Sequence, residues 1–362
     1  MNVFFNLKLW WVRQKRLHRV RFFVWAAVVL YAFIIGVFIL VVLLPTYIQS
    51  LKQVTIQYYR EPKQVFSSTD RRWLDGSTTA TSTVNVPLAA VVIENHVDAR
   101  PLAGIADARV VYELPVEGNI TRFLALFPLP DMPERVGPVR SARFYMLKLL
   151  GEWGSPLFMH VGGSPEAIAT LERGGFNDFD EYFNGQYFWR DEKRARPHNV
   201  FTSSELAEAS QRATTTIFSP WLFEETPASS TVSLQPEDTT LNVVYSRPWH
   251  AVTWAYDADD DVYYRLQAGK LHRSEDGQKI GASTVVVQRV SGEVVDDVGR
   301  LEMNLQGEGE AFVFKHGERT TSTWKRSVGE VRTRLYDGKG KEISLAPGVI
   351  WFEVVMPWHD VW

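Results

Sequence analysis

Five arginines, two histidines and two glutamates fall in short segments of this sequence where their types could do chemistry. Arg122, Arg140, Arg143, Arg190 and Arg196 each offer a planar fork that fits a carboxylate or a phosphate. Arg140 and Arg143 stand three apart at the start of a predicted helix and so share a face. Two readings are open. The arginines can pair with Glu113, Glu117 and Asp191 to hold loops together, or they can converge on an anionic ligand. A second segment, His160-Val161-Gly162-Gly163-Ser164-Pro165, reads as a strand end, a glycine turn and a helix start. Unpaired N–H groups at such a turn attract anions, and ligands of α/β sheets gather at the carboxyl ends of strands. Ser164 before Pro165 is first a helix cap. As a nucleophile it would need His160 or His198 as base, and no G-x-S-x-G elbow surrounds it. The third segment is Arg196-Pro197-His198-Asn199, an extended or turning loop whose His–Asn pair can be functional or can satisfy backbone groups. Glu113 and Glu117 are candidate acid–base groups for a hydrolase, although Pro115 between them argues against helical spacing.

Much chemistry is excluded. With no Cys there are no disulfides, thiolate metal sites or Cys nucleophiles. The eight His are scattered without an H-E-x-x-H or H-x-H pattern, so no metal site is expected. Asp257, Asp259, Asp260 and Asp261 sit between two predicted strands as a solvated hairpin turn and lack the glycine and terminal Glu of a calcium loop. There is no Walker motif and no G-x-G-x-x-G, and no cofactor is expected. Trp249, Trp254, Trp324 and Trp351 lie among strand residues, where core packing is the default.

The elements that must position these groups follow from apolar patterning. LAAVVIEN (88–95), ARVVYELPV (108–116), TRFLALF (121–127) and PLFMHVGG (156–163) read as strands. SARFYMLKLLGEW has helical spacing, Ser164 caps a second helix ended by Gly174–Gly175, and a third starts at Thr202 with Glu205 completing a capping box. Strands alternating with helices give an α/β domain over 87–212. A polar connection follows over 213–240. Residues 241–362 read as a mainly antiparallel β domain.

Ahead of these lie a basic tail (1–21), an uncharged apolar stretch (22–44) and a Ser/Thr-rich spacer (45–86). The stretch is long enough for a transmembrane helix across the ~30 Å hydrocarbon core. The basic tail predicts that its N-terminus stays inside and the body is extracytoplasmic. The chain carries a formal net charge of −3, and setting the basic tail aside leaves the body acidic, so a nucleic-acid partner is not expected.

The segments ARPLAGIADARVVYELPVEGNITRFLALF, RVGPVRSARFYMLKL, FMHVGGSPEA, FWRDEKRARPHNVFTS, GEAFVFKHGERTTSTWKRS and DGKGKEISLAPGVIWFEVV together resemble the YerB-like lipoprotein family. The resemblance implies a two-domain protein of the bacterial cell envelope and brings no activity with it. Many members attach through a lipidated Cys, which this chain lacks. The expectation is therefore a protein anchored in the bacterial cytoplasmic membrane. Its α/β domain would bind an anionic cell-wall component or an envelope protein through the Arg/His cluster. The alternatives are an envelope hydrolase using Glu113/Glu117 or His160/His198, and a purely structural partner of another membrane protein.

Overall fold

The structure is a computed structural model. It describes Trp25, Leu30, Tyr31 and residues 74–77, 85–210, 212, 218–225, 239–327 and 332–362. The chain separates into two compact units, residues 1–62 and 63–362. In the first, Trp25, Leu30 and Tyr31 are helical and exposed. The rest of the stretch at 22–44, where a transmembrane helix is expected, lies outside the described residues, as does the basic tail. Among the described residues no helix is long and apolar enough to cross a membrane.

In the second unit the apolar runs become strands. They are β1 (Leu88–Glu94), β2 (Val110–Pro115), β3 (Thr121–Pro128) and β4 (Leu157–His160). The polar stretch Asn177–Asp180 adds β5, which no apolar pattern announces. Trp189–Arg190 and Val200–Phe201 form a small ribbon, β6 and β7. The helices are α1 (Phe144–Leu150), α2 (Pro165–Glu172), α3 (Glu181–Asn184) and α4 (Ser204–Ala209). The cap of α4 is Ser203 rather than Thr202, its Oγ accepting from the Leu206 N–H at 3.2 Å. Thr202 is engaged elsewhere: it bridges Val136, and its hydroxyl donates to the Tyr187 carbonyl at 3.1 Å.

The downstream region is almost all strand. It contains β8 (Thr240–Ser246), β9 (His250–Asp257), β10 (Val262–Gln267), β11 (Lys270–Leu271), β12 (Gly281–Ala282) and β13 (Thr284–Arg289). Then follow β14 (Gly292–Val294), β15 (Leu301–Met303), β16 (Gly307–Lys315), β17 (Glu318–Arg326), β18 (Arg334–Tyr336), β19 (Ile350–Val355) and β20 (Asp360–Val361).

The two-part organisation holds along the sequence, but the first part is richer in strand than a plain alternation of strands and helices implies. In space the two parts share one ten-stranded sheet of order β18-β17-β16-β13-β19-β2-β3-β1-β4-β5. The seam is the parallel pair β19–β2, with Glu353 opposite Glu113, and β13–β19 is also parallel. The downstream part is therefore not a free-standing antiparallel domain. β13, β19, β2, β1, β4 and β5 all run the same way, with β3 opposed between β2 and β1.

Side chains alternate across this sheet. Leu88, Ala90 and Val92 face a core with α1, α2, Trp153 and Trp221. Ala89, Val91 and Ile93 face a core with Val243, Val252, Trp254 and Tyr263 of a second, six-stranded sheet built from β8 to β12 and β20. The result is three layers, helices over sheet over sheet. Both stretches read as connections contribute to the first core. Leu74 is buried there from the expected spacer, and Phe218 and Trp221 from the expected linker, because apolar side chains of this size are more stable out of water.

Candidate functional site

The predicted site residues fall into three groups at or near the carboxyl edge of the parallel strands. The first centres on Glu94. β1 and β4 pair through Val91 and Met159 and then part. Into the gap runs the segment before α1: the Arg140 N–H donates to the Val92 carbonyl at 2.8 Å, and the Val161 N–H donates to the Arg140 carbonyl at 3.1 Å. This places Arg140 Nε 3.0 Å from Glu94 Oε1, while the His198 ring meets Glu94 Oε2 at 2.7 Å. Arg143, two residues past Ser141, gives two 2.7 Å bonds to the two oxygens of Glu117. Burial pushes the Glu117 carboxyl up, but the Arg143 bonds and charge outweigh it and hold the group below its ordinary range.

Arg122 sits opposite Glu94 in the β1–β3 register and on the same face. Its Nη1 donates to the Ser141 carbonyl at 2.8 Å. Among the described residues it makes no ion pair, although only 8% of it is exposed. Burial, reinforced by the nearby charges of Arg143 and Arg140 and opposed by the Glu117 charge, lowers its pKa to about 10. A groove of about 180 Å³ adjoins the cluster, lined by Arg143, Ser164, Glu166, Asp296 and Arg300 among others.

The second group is structural in its contacts. The buried His160 ring is held between the Gly162 carbonyl at 2.8 Å and Asp178 Oδ1 at 2.7 Å, so neither nitrogen is free to act as a base. Ser164 Oγ accepts from the Ala167 N–H at 3.4 Å and caps α2. Arg190 donates to Asn199 Oδ1 at 3.2 Å and to Glu181 Oε1 at 3.0 Å. Arg196 is exposed. Asp191, expected as a partner for the predicted arginines, binds Arg135 at 2.6 Å instead.

The third group lies on the opposite face. Glu113 points toward the second sheet and is fully buried. It accepts from Thr121 Oγ1 at 2.7 Å and Asn95 Nδ2 at 3.3 Å, and from Arg265 Nη2 at 2.9 and 2.7 Å. Arg265 Nη1 also reaches Gln267 and His272 at 2.7 and 2.6 Å. Glu353 lies beside Glu113, bonded to Trp254 Nε1 and the Tyr245 hydroxyl at 2.7 Å each. Burial, with the Glu113 charge next, raises the Glu353 pKa to about 8. Burial and the Arg265 charge push the His272 pKa well below its ordinary value.

Glu113 and Glu117 thus do not converge. One is locked to Arg265 between the sheets, the other to Arg143 at the start of α1. That separation counts against an acid–base pair. Of the four tryptophans expected in the core, Trp254, Trp324 and Trp351 are buried, but Trp249 is 51% exposed because it occupies the turn between β8 and β9. Sequence reasoning missed Glu94, the partner of both Arg140 and His198. It also missed Arg265 and Glu353. A lone acid inside the apolar run IWFEVV was the available signal for Glu353.

Residues 74–216 match the family described as "Protein of unknown function (DUF3048) N-terminal domain", and residues 241–352 match its C-terminal domain. The chain belongs to the DUF3048 family. Both halves of the family pattern therefore supply strands to the shared sheet. A curated relative, "Putative lipoprotein YerB" of Bacillus subtilis (strain 168), is 34% identical over 277 residues, covering 74% of this chain and 80% of the relative. A crystal structure of the YerB protein from Bacillus subtilis matches with a TM-score of 0.70 at 30% identity, covering 81% of this chain and 99% of that one.

Proposed function

We propose that this DUF3048 protein is a membrane-anchored protein of the bacterial envelope that binds an anionic wall component at Arg122. The relative's name, lipoprotein, supports the envelope placement. The uncharged stretch at 22–44 behind a basic tail supplies a single-pass anchor, N-terminus inside, in a chain with no Cys to lipidate.

The observation that carries the ligand reading is the contrast among the three arginines. Arg140 and Arg143 have carboxylate partners. Arg122 is nearly buried, spends one bond on Ser141, and has no ion pair among the described residues. Burying a charge costs several kcal/mol unless a counter-charge accompanies it. The Glu117 carboxylate, bonded to Arg143, offsets part of that cost from a distance; an anion arriving at Arg122 would add a direct counter-charge, and the fork favours a carboxylate or phosphate. A hydrolase reading draws no comparable support, since Glu113, Glu117 and His160 are each held by strong partners.

The test is co-sedimentation of the purified full chain with isolated cell walls. Wild type should sediment, Arg122→Gln should lose most of the binding, and Arg122→Lys should retain part of it. Equal sedimentation of wild type and Arg122→Gln, with circular dichroism showing both folded, refutes the proposal.

A further inference from the structure

We infer that His96, Asp98 and His198 form a binding site for a divalent transition-metal ion. One ligand atom from each comes within 4.8 Å of the others. His96 and Asp98 bracket the start of the turn Val97–Ala99 that follows β1, and His198 arrives from the loop between β6 and β7. His96 and Asp98 stand two apart, but His198 is remote from both in sequence, which is why the scattered histidines gave no motif.

The strongest observation concerns His198. Its Nδ1 faces Glu94 Oε2 at 2.7 Å, and Glu94 is in turn held by Arg140 at 3.0 Å. A carboxylate on one imidazole nitrogen fixes the tautomer and leaves the other nitrogen with its lone pair presented outward, the arrangement found behind metal-bound histidines. Glu94 is thus a positioning residue for a ligand.

The present ring geometry is open. His96 and His198 stack at 5.1 Å between centroids with planes 10° apart, and no ion can lie in both planes at once. One ring must turn. His198 is pinned by Glu94 and 14% exposed, whereas His96 is 32% and Asp98 70% exposed by side chain. His96 Nδ1 only accepts a 3.2 Å bond from the Asp98 N–H and lies 3.5 Å from Asp98 Oδ2. Rotation of His96 and Asp98 toward His198 closes the site and gives up the 3.2 Å cap bond and the ring stack.

The donor set selects the ion. Two imidazoles and one carboxylate suit zinc, cobalt, nickel or copper, while calcium and magnesium prefer oxygen cages. Arg140 beside Glu94 also disfavours a cation held by charge alone, leaving coordination by nitrogen as the source of affinity. Three protein ligands leave at least one position for water or an exogenous group. The site uses none of the bonding capacity of Arg122 and stands independently of the wall-binding proposal.

Cobalt(II) titration of the full chain, without an affinity tag and after chelator treatment, tests this through the visible ligand-field bands. Wild type should take up one equivalent with the intensity of a low-coordinate site. His198→Asn and His96→Asn should each weaken binding at least tenfold. Glu94→Gln should weaken it about tenfold through loss of the positioning bond. Absence of cobalt and zinc binding by wild type overturns the inference, and so does one-equivalent binding that persists in a His96→Asn variant whose circular dichroism matches that of wild type. Wall sedimentation of the chelator-treated protein reads Arg122 separately.

Discussion

Replacing Glu353 by Gln changes the pH dependence of stability in a way the buried network specifies. The Glu353 carboxyl is fully buried and its pKa is raised from an ordinary 4.5 to about 8, by burial first and by the Glu113 charge second. A group raised in the folded state stabilises fully below its unfolded pKa and loses that contribution as pH climbs to the folded value. Each unit is worth about 1.4 kcal/mol, so by pH 7 the wild type has lost roughly 3 kcal/mol relative to a neutral isostere. Gln supplies that isostere. Its oxygen can accept from Trp254 Nε1 and its amide can donate to the Tyr245 oxygen, both now at 2.7 Å from Glu353. The buried His250 and His272, whose pKa values are lowered by burial and by neighbouring arginines, slope the other way at acid pH, but they do so equally in both proteins. Urea denaturation of wild type and Glu353→Gln at matched pH values isolates the contribution of this carboxyl. The variant should match wild type near pH 4.5, gain steadily on it, and level off above pH 8. A difference that stays flat from pH 5 to 8, or a variant weaker than wild type at pH 7, refutes the assignment of a neutral acid.

Two further outcomes follow from the Arg265–Glu113 pair and from the cap of α2. Arg265→Met should cost about 3–5 kcal/mol by leaving Glu113 charged and unpaired between the sheets, and adding Glu113→Gln should restore most of it; both are read by urea denaturation. Ser164→Ala should cost about 1 kcal/mol or less in the same measurement, as a cap with a 3.4 Å bond.

The strands with continuous apolar runs, such as 88–95 and 121–127, were legible because burial on both faces leaves no room for polar residues. Asn177–Asp180 was not, since its residues bond through side chains and backbone at the sheet edge. The pairing of β19 with β2 was invisible for a different reason. Periodicity tells which face of a strand is apolar, and nothing local tells which strand lies beside it. The site was half legible for the same cause. Arg122, Arg140, Arg143 and His198 stood out by type, yet the partner that organises two of them, Glu94, looked like the polar end of a strand. Arg265 stands in an alternating strand of the second sheet, where nothing local shows that the ten-stranded sheet covers it and sets Glu113 against it.

The seam between β19 and β2 bears on how the protein is made. Residues 110–115 emerge early and present an open hydrogen-bonding edge, and the strand that closes it is among the last to be synthesised. If the body is delivered across the membrane amino end first, that edge stays uncovered throughout transit. A half-delivered chain would then be a sticky template for any passing extended segment, and such delivery would require either fast completion or an escort that shields the unfinished border.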